Sequence, residues 1–485
     1  MNTQSSRIAP AAALPRGGWL LATFTLLALA VFAFEGPHRP AGIAALVVAF
    51  GMLLVLLPWG TGLWFIPLAG LALPVSQPLP AVHMFDLPSA ILIVVALGAT
   101  LASRRREAWD VRGPGRFAFA MLAVPLVAFP FVVSRPSFLA AYKGYLLLVG
   151  LFLALRRLVP RTSARVLLWL YPVTGTLVAF QLLSRTRGLG ALLFSRLKFR
   201  NFYSGLGWGQ SDYISAVLEF CLCGTVVLIL FEKRLAMRVA LAAAAFVMVQ
   251  AFLILFSRSG AISLLVFGAF LAFGWKRERA LLAMGAGTLA AIAAAATPGG
   301  QVLLQRFTDP AEYSSWYFRL LTWETGIERF LQHPWTGYGL NQGRHIPDVI
   351  GSDSSNSSII DFFGEQGILG GVLFVAIVVA AFRMARRAEW HGRPLPRPMR
   401  AALLGTVAAV VLHSLVEPTL TGNVMQVMFV YLLAFLTLLD SRGSGESAVP
   451  APASAGYGAA AGRAVPTTSG PTTSGPTISG PTISG

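Results

Sequence analysis

Charge is what this sequence has least of. Only 12% of its 485 residues are Asp, Glu, Lys or Arg, about half the share of a soluble globular domain. With 55% hydrophobic residues and a mean hydropathy of +0.68, a soluble fold is excluded, and so is general disorder. Acidic residues are scarcer than basic ones: 20 against 38, for a net charge of +18. Cysteine is nearly absent. The two present, Cys221 and Cys223, lie two apart in an apolar run, point to different helix faces, and read as buried thiols rather than a disulfide or metal pair. HxxH, DxD and clustered-carboxylate signatures are lacking, so neither a metal nor another cofactor is expected.

Long apolar runs are abundant instead. A helix crosses the hydrocarbon core with about 20 mainly apolar residues. Runs near that length occur at 18–34, 41–58, 61–75, 86–102, 117–134, 137–155, 165–183, 211–231, 237–256, 259–275, 279–297, 367–386, 399–416 and 420–439. The fold expected is all-α: a polytopic integral membrane protein of about 12–14 transmembrane helices. The 61–75 run is the shortest and is followed by proline. The first run lacks a small-residue cleavage site and reads as a span rather than a signal peptide.

Position explains the basic balance. With the N-terminus cytoplasmic and the spans alternating, inside segments hold Arg104 to Arg106, Arg156 and Arg157, Lys233 and Arg234, Lys276 and Arg277, and Arg383, Arg386 and Arg387. That is the positive-inside pattern. These cations form no single face and no patch interleaved with aromatics, so nucleic acid is not an expected partner. Ten further cations gather outside: Arg185, Arg187, Arg196, Lys198 and Arg200 in 184–210, Arg258 alone in a short turn, and Arg306, Arg319, Arg329 and Arg344 in the long segment 298–366. Lys143 falls inside the 137–155 span, either snorkelling outward or facing a cavity. Outside arginines run against the orientation rule and call for another explanation.

Four regions follow: an N-terminal transmembrane bundle over 1–297, an outside loop over 298–366, C-terminal transmembrane helices over 367–440, and a Gly/Ser/Ala/Pro-rich cytoplasmic tail over 441–485 ending in PTTSG and PTISG repeats. Within the loop, Phe318, Leu321 or Thr322, Gly326 and Phe330 recur at helical spacing, which predicts a surface-lying amphipathic helix over 315–332, stopped before Pro334. Gly337 and Gly339 suit a tight turn. A small, polar stretch then leads to a helix restarting near Ile359, with Glu365 close to the membrane edge.

Three blocks carry a resemblance. One is Phe256-Ser257-Arg258-Ser259-Gly260 opening a helix. The second is Arg319-x3-Trp323-x6-Phe330-x2-His333-Pro334-x2-Gly337-x-Gly339. The third is Asn356-x8-Glu365-x-Gly367-x2-Gly370. In this order and at this spacing, over about 200–375, they resemble the O-antigen ligase and O-antigen polymerase superfamily of membrane glycosyltransferases. The resemblance implies an enzyme of the bacterial inner membrane. It takes a glycan from undecaprenyl diphosphate at the periplasmic face and passes it to an acceptor. Arg258 and Arg319 are then the residues that contact the diphosphate; Trp323 and Asn356 are further substrate-binding candidates, and Arg196, Lys198 and Arg200 either guide the diphosphate or bind anionic lipid. Ligases of the family carry a histidine directly before the asparagine at the helix restart. Here that place is Ser355, which favours the polymerase over the ligase and leaves the base open among His345, Glu365 and Asp361.

The chemistry stands without the family. A leaving lipid diphosphate gains negative charge as the glycosidic bond breaks, and guanidinium groups bind phosphate oxygens bidentately while always charged. The leading expectation is a polysaccharide repeat-unit polymerase, metal-independent and inverting, acting on a lipid-linked sugar acceptor alongside other envelope polysaccharide assembly proteins. The first alternative is a ligase that passes the glycan to lipid A core or to protein. The alternative from another class is a transporter or flippase, whose usual internal repeat is not found here. His333 beside Pro334 reads as a helix stop, and His413 with Glu417 four residues on reads as a buried polar pair at a membrane helix end.

Overall fold

The computed structural model describes Ile66 and residues 86–103, 114–185, 211–255, 257–275, 313–343, 355–390 and 392–440. These residues form eleven α-helices: α1 (Asp86–Ser103), α2 (Pro114–Ala128), α3 (Arg135–Leu158), α4 (Leu170–Arg185), α5 (Ser211–Phe231), α6 (Leu235–Leu255), α7 (Arg258–Gly274), α8 (Tyr313–Gln332), α9 (Ser358–Arg387), α10 (Arg397–Val416) and α11 (Asn423–Leu439). The only sheet among them is a two-residue hairpin pairing, Glu389–Trp390 with Arg393–Pro394, before α10. Six helices, the second of them α4 with the 3₁₀ turn before it, are long and apolar enough to cross a membrane, and four shorter apolar ones accompany them. The chain is an all-α polytopic membrane protein. The runs predicted at 18–34, 41–58 and 279–297, and the tail from 441, lie outside the described residues, as does all of 61–75 except Ile66.

Helix ends follow local chemistry. Ser134 caps α3 by accepting from the Ser137 N–H, with Pro136 in the first turn. Arg156 and Arg157 close α3, and Arg386 and Arg387 close α9. Lys143, one candidate for a cavity-facing cation, instead joins α3 to α1 by an ion pair with Asp86 at 2.8 Å.

The spans pack closely where small residues meet large ones. A Cβ on Gly224 of α5 would meet the Tyr171 ring of α4 at 2.3 Å, and one on Gly274 of α7 would meet Ala401 Cβ of α10 at 2.5 Å. Such small-residue contacts are how membrane helices approach each other. They draw α5 against α4, and α7 against α10, the second being a pairing that builds the site below. Large apolar side chains such as Leu265 (73% exposed) and Phe273 (89%) line the outer surface of α7. An apolar outer surface is what a bilayer-facing helix presents. Cys221 and Cys223 are buried free thiols on α5.

One locked turn explains the glycine pattern. The loop after α8 folds against a break in α9, where Gly367 has φ 65° and ψ −165°. Tyr338 N–H donates to Gly364 O (3.0 Å), Gly339 N–H to Glu365 O (2.9 Å), and Ile368 N–H to Pro334 O (2.8 Å). Gly337 and Gly339 also have positive φ, 68° and 96°. A Cβ at Gly337 would meet the Glu365 backbone at 2.3 Å, and one at Gly367 would meet Trp335 O at 2.4 Å. The glycines therefore join two backbones at close range.

Candidate active site

The amphipathic helix predicted over 315–332 is α8, but its polarity is the reverse of a helix with an apolar inner face. Thr322, Gly326 and Arg329 are buried, whereas Phe318, Leu320, Ile327 and Leu331 are exposed. Gly326 is small because α8 crosses the start of α9 there: a Cβ would meet Ile360 Cγ2 at 2.6 Å and Ser355 Cβ at 2.7 Å. Phe330 meets Phe363 of α9 edge-on, with centroids 5.5 Å apart. Arg329 lies over the Tyr338 ring (5.8 Å) and within 3.5 Å of Gly343 O, so this outside cation fastens the locked turn to α8. Tyr338 has its hydroxyl held well above the usual phenol range, by burial first and then by Glu365 and Asp361.

Arg319 turns inward from α8. It pairs with Glu417, just past the end of α10, and lies 3.8 Å from Asp212 in the first turn of α5. Burial, then the Asp212 carboxyl, push the Glu417 carboxyl up to about 7, while Arg319 and His413 pull the other way. One turn before Glu417, His413 takes a different direction. Its Nδ1 lies 2.5 Å from Glu219 Oε2 of α5, and its Nε2 lies 3.3 Å from Ser259 Oγ. Ser259 belongs to the first turn of α7 beside Arg258. Ser257 caps that helix, accepting from the Gly260 N–H at 3.3 Å. Gly260 has no room for a side chain, since a Cβ would meet the Phe252 ring of α6 at 2.8 Å.

The α9 restart borders the same cluster. Ser358 Oγ donates to Glu417 O (3.3 Å) and accepts from the Leu420 N–H (2.9 Å). Asn356, at φ 56°, donates from Nδ2 to Thr322 Oγ1 at 3.1 Å. Ser355, standing where the ligase histidine is expected, is buried and donates from Oγ to Asp361 Oδ1 at 2.7 Å. Arg258, Arg319 and Asn356, predicted from separate motifs, are thus gathered around the His413–Glu417 turn. Trp323 is half-buried on α8, one turn beyond Arg319. Glu365 sits in the locked turn, where its Oε1 accepts the Asn341 N–H at 3.0 Å. Arg196, Lys198, Arg200 and His345 lie outside the described residues.

Residues 243–375 match the family model described as O-antigen ligase. That segment is similar to the family. The matched segment contains Arg258, Arg319, the locked turn and the α9 restart, and it supports the O-antigen ligase and polymerase family as well as a glycosyltransferase-like enzyme in the membrane. No curated relative matches the chain. The matched segment ends before α10, so His413 and Glu417 lie beyond it, and Asp212 and Glu219 precede it.

Those four residues are what sequence reasoning missed or misassigned. Glu219 and Asp212 were not singled out, although a carboxylate in an apolar span is itself a signal. The His413 and Glu417 side chains are both buried, but they take separate partners, Glu219 and Arg319. Among the described residues no group of three His, Cys, Asp or Glu side chains could hold a metal ion.

Proposed function

We propose that the protein is a polysaccharide repeat-unit polymerase of the bacterial inner membrane. It transfers a growing glycan from undecaprenyl diphosphate to the hydroxyl of a lipid-linked sugar. The observation that carries this reading is the convergence of the Arg258 helix start and Arg319 on one cluster at one end of the bundle. The helices reach that end with α5, α7 and α9 starting there and α6 and α10 finishing there. Their opposite ends hold Arg234 and Arg238, Arg386 and Arg387, and Arg397 and Arg400. The positive-inside rule favours the periplasmic face for the cluster.

In this reading Arg258 and Arg319 hold the diphosphate. They are strongest where charge develops, at the bond to the leaving oxygen. Arg319 is held in advance by Glu417 and Asp212, so little ordering remains when the diphosphate arrives. An apolar groove lined by Leu420, Phe362, Phe374, Ile377, Phe429 and Met384 begins three residues from Glu417 and suits an isoprenoid chain. Attack on the anomeric carbon opposite the diphosphate inverts its configuration. Trp323 and Asn356 complete the donor site, and Arg196, Lys198 and Arg200 supply further cations for the approaching lipid diphosphate.

A ligase is the second reading, and Ser355 weighs against it: its hydroxyl is committed to Asp361, in the place where a ligase presents histidine. Deleting the gene and profiling lipid-linked glycans separates the two. Accumulated single repeat units support the polymerase; intact polymer left on its carrier supports the ligase.

A further inference from the structure

Glu219, His413 and Ser259 form a chain of three side chains from three helices, with contacts of 2.5 Å and 3.3 Å. With Nδ1–H donating to Glu219, His413 Nε2 is left as an acceptor facing the Ser259 hydroxyl. Glu219 and His413 are each 1% exposed, whereas Ser259 is 9% exposed. Ser259 is the end of the chain next to Arg258, and its Oγ also lies 3.1 Å from Ser257 Oγ, the cap of α7. The second oxygen of Glu219 is buried and has no hydrogen-bond partner among the described residues. A carboxylate buried for structure alone is normally satisfied on both oxygens. One committed by a single short contact to an imidazole is the arrangement that orients a histidine as proton acceptor.

The geometry points to Ser259 as the residue that meets the acceptor hydroxyl and relays its proton to His413, which Glu219 orients. The inference rests on the proposed glycosyl transfer from a lipid diphosphate. As the acceptor O–H bond breaks, its oxygen bonds to the anomeric carbon. The bond from that carbon to the diphosphate oxygen breaks, and its electron pair leaves with the diphosphate, beside Arg258 and Arg319. The acceptor proton passes to Ser259 Oγ while the serine's own proton moves to His413 Nε2. The resulting imidazolium faces Glu219, and the proton returns by the same path to water once product departs. Ser259 is the catalytic residue here; His413 and Glu219 act through it. The charged groups around the imidazole are Glu219 and Asp212 of α5 and Glu417 at the end of its own helix, with Arg258 at the α7 start and Arg319 beyond Glu417.

The test uses the full-length chain, purified with Ser259→Ala, Ser259→Thr, His413→Gln or Glu219→Gln. Transfer is assayed on lipid-linked glycans extracted from the source membranes, and binding is measured with undecaprenyl diphosphate. Ser259→Ala and His413→Gln are expected to lower kcat by about 10²-fold with diphosphate binding unchanged, and Ser259→Thr to restore most of the loss. Glu219→Gln keeps the hydrogen bond but removes the charge that favours imidazolium, so the acid limb of its kcat profile moves to lower pH. Wild-type kcat in Ser259→Ala overturns the relay, as does a loss of diphosphate binding that accounts for the lost kcat. Ser259→Ala removes a single oxygen, so its variant decides the matter even if His413→Gln does not fold. Arg258→Ala and Arg319→Ala are run alongside. If these retain full transfer, or the wild type transfers nothing, the functional reading fails; if they are inactive while Ser259→Ala is active, only the relay fails.

Discussion

Arg319 and Glu417, 98 residues apart in sequence, form an ion pair where α8 meets the end of α10. The pair fixes the guanidinium beside Asp212 and one turn from the His413 contacts to α5 and α7. Removing the cation leaves both carboxylates uncompensated as well as depriving a diphosphate of its donor. Arg319→Ala and Arg258→Ala are each expected to lower transfer by about 10²–10³-fold, the cost of losing one preorganised donor. Arg319→Lys keeps the charge but not the two-pronged geometry and should recover only part. Polymer length on gels, with membrane insertion confirmed, checks this.

Glu417 gives the chain a pH signature. Its carboxyl is raised to about 7 in the fold, whereas an unfolded glutamate titrates near its ordinary value of about 4.3. The folded chain therefore binds more protons than the unfolded chain between those values. The stability contributed by neutral Glu417 is fully present below about pH 4.3 and is lost as pH rises through about 7. Thermal unfolding of the purified protein should show a melting temperature falling from pH 5 to pH 8. In Glu417→Gln, permanently neutral, the fall should be smaller. Equal slopes in the two proteins would remove Glu417 as the cause.

The locked turn predicts a contrast between two glycines. Gly367→Ala forces a side chain into a left-handed φ and onto Trp335 O, which is expected to cost at least about 1–3 kcal/mol and to reduce accumulation in the membrane. Gly268→Ala of α7 meets nothing within 4 Å and should be neutral or slightly stabilising, because alanine favours the helix. Expression level and melting temperature of the two variants distinguish them.

Glu365 is held in that turn by the Asn341 N–H. With Ser259 and His413 taking the acceptor proton, as proposed above, Glu365 is left to clamp backbone, and Gln can accept the same bond. Glu365→Gln is therefore expected to keep kcat within about tenfold of wild type, well short of the loss that follows removal of a general base. A steady-state assay on lipid-linked glycan decides it: loss comparable to Arg319→Ala would make Glu365 the base.

The described spans between 86 and 439, and α8, were legible because hydrophobic length and helical period are local properties. The arginines were legible because cations on the outside contradict the orientation rule. The contacts that make a site of them were not. His413 and Glu219 are 194 residues apart, and no local pattern joins them. His413 and Glu417 have the i, i+4 spacing of a helical pair, but α10 ends at Val416 and Glu417 is extended, with φ −141°. The chain leaves the helix there and turns the carboxylate toward α8. Arg329 reads from sequence only as one of the outside cations; the fold of 338–343 back onto α8 buries it against Tyr338.

The central claim is that Arg319 and Arg258 hold the diphosphate of a lipid-linked glycan during polymerisation. The most direct measurement replaces the wild-type gene with Arg319→Ala and profiles lipid-linked glycans from membranes in which the variant protein is present at normal level. The account predicts single repeat units accumulating on undecaprenyl diphosphate and loss of long chains. Long chains of wild-type length, with no accumulated single units, would contradict it.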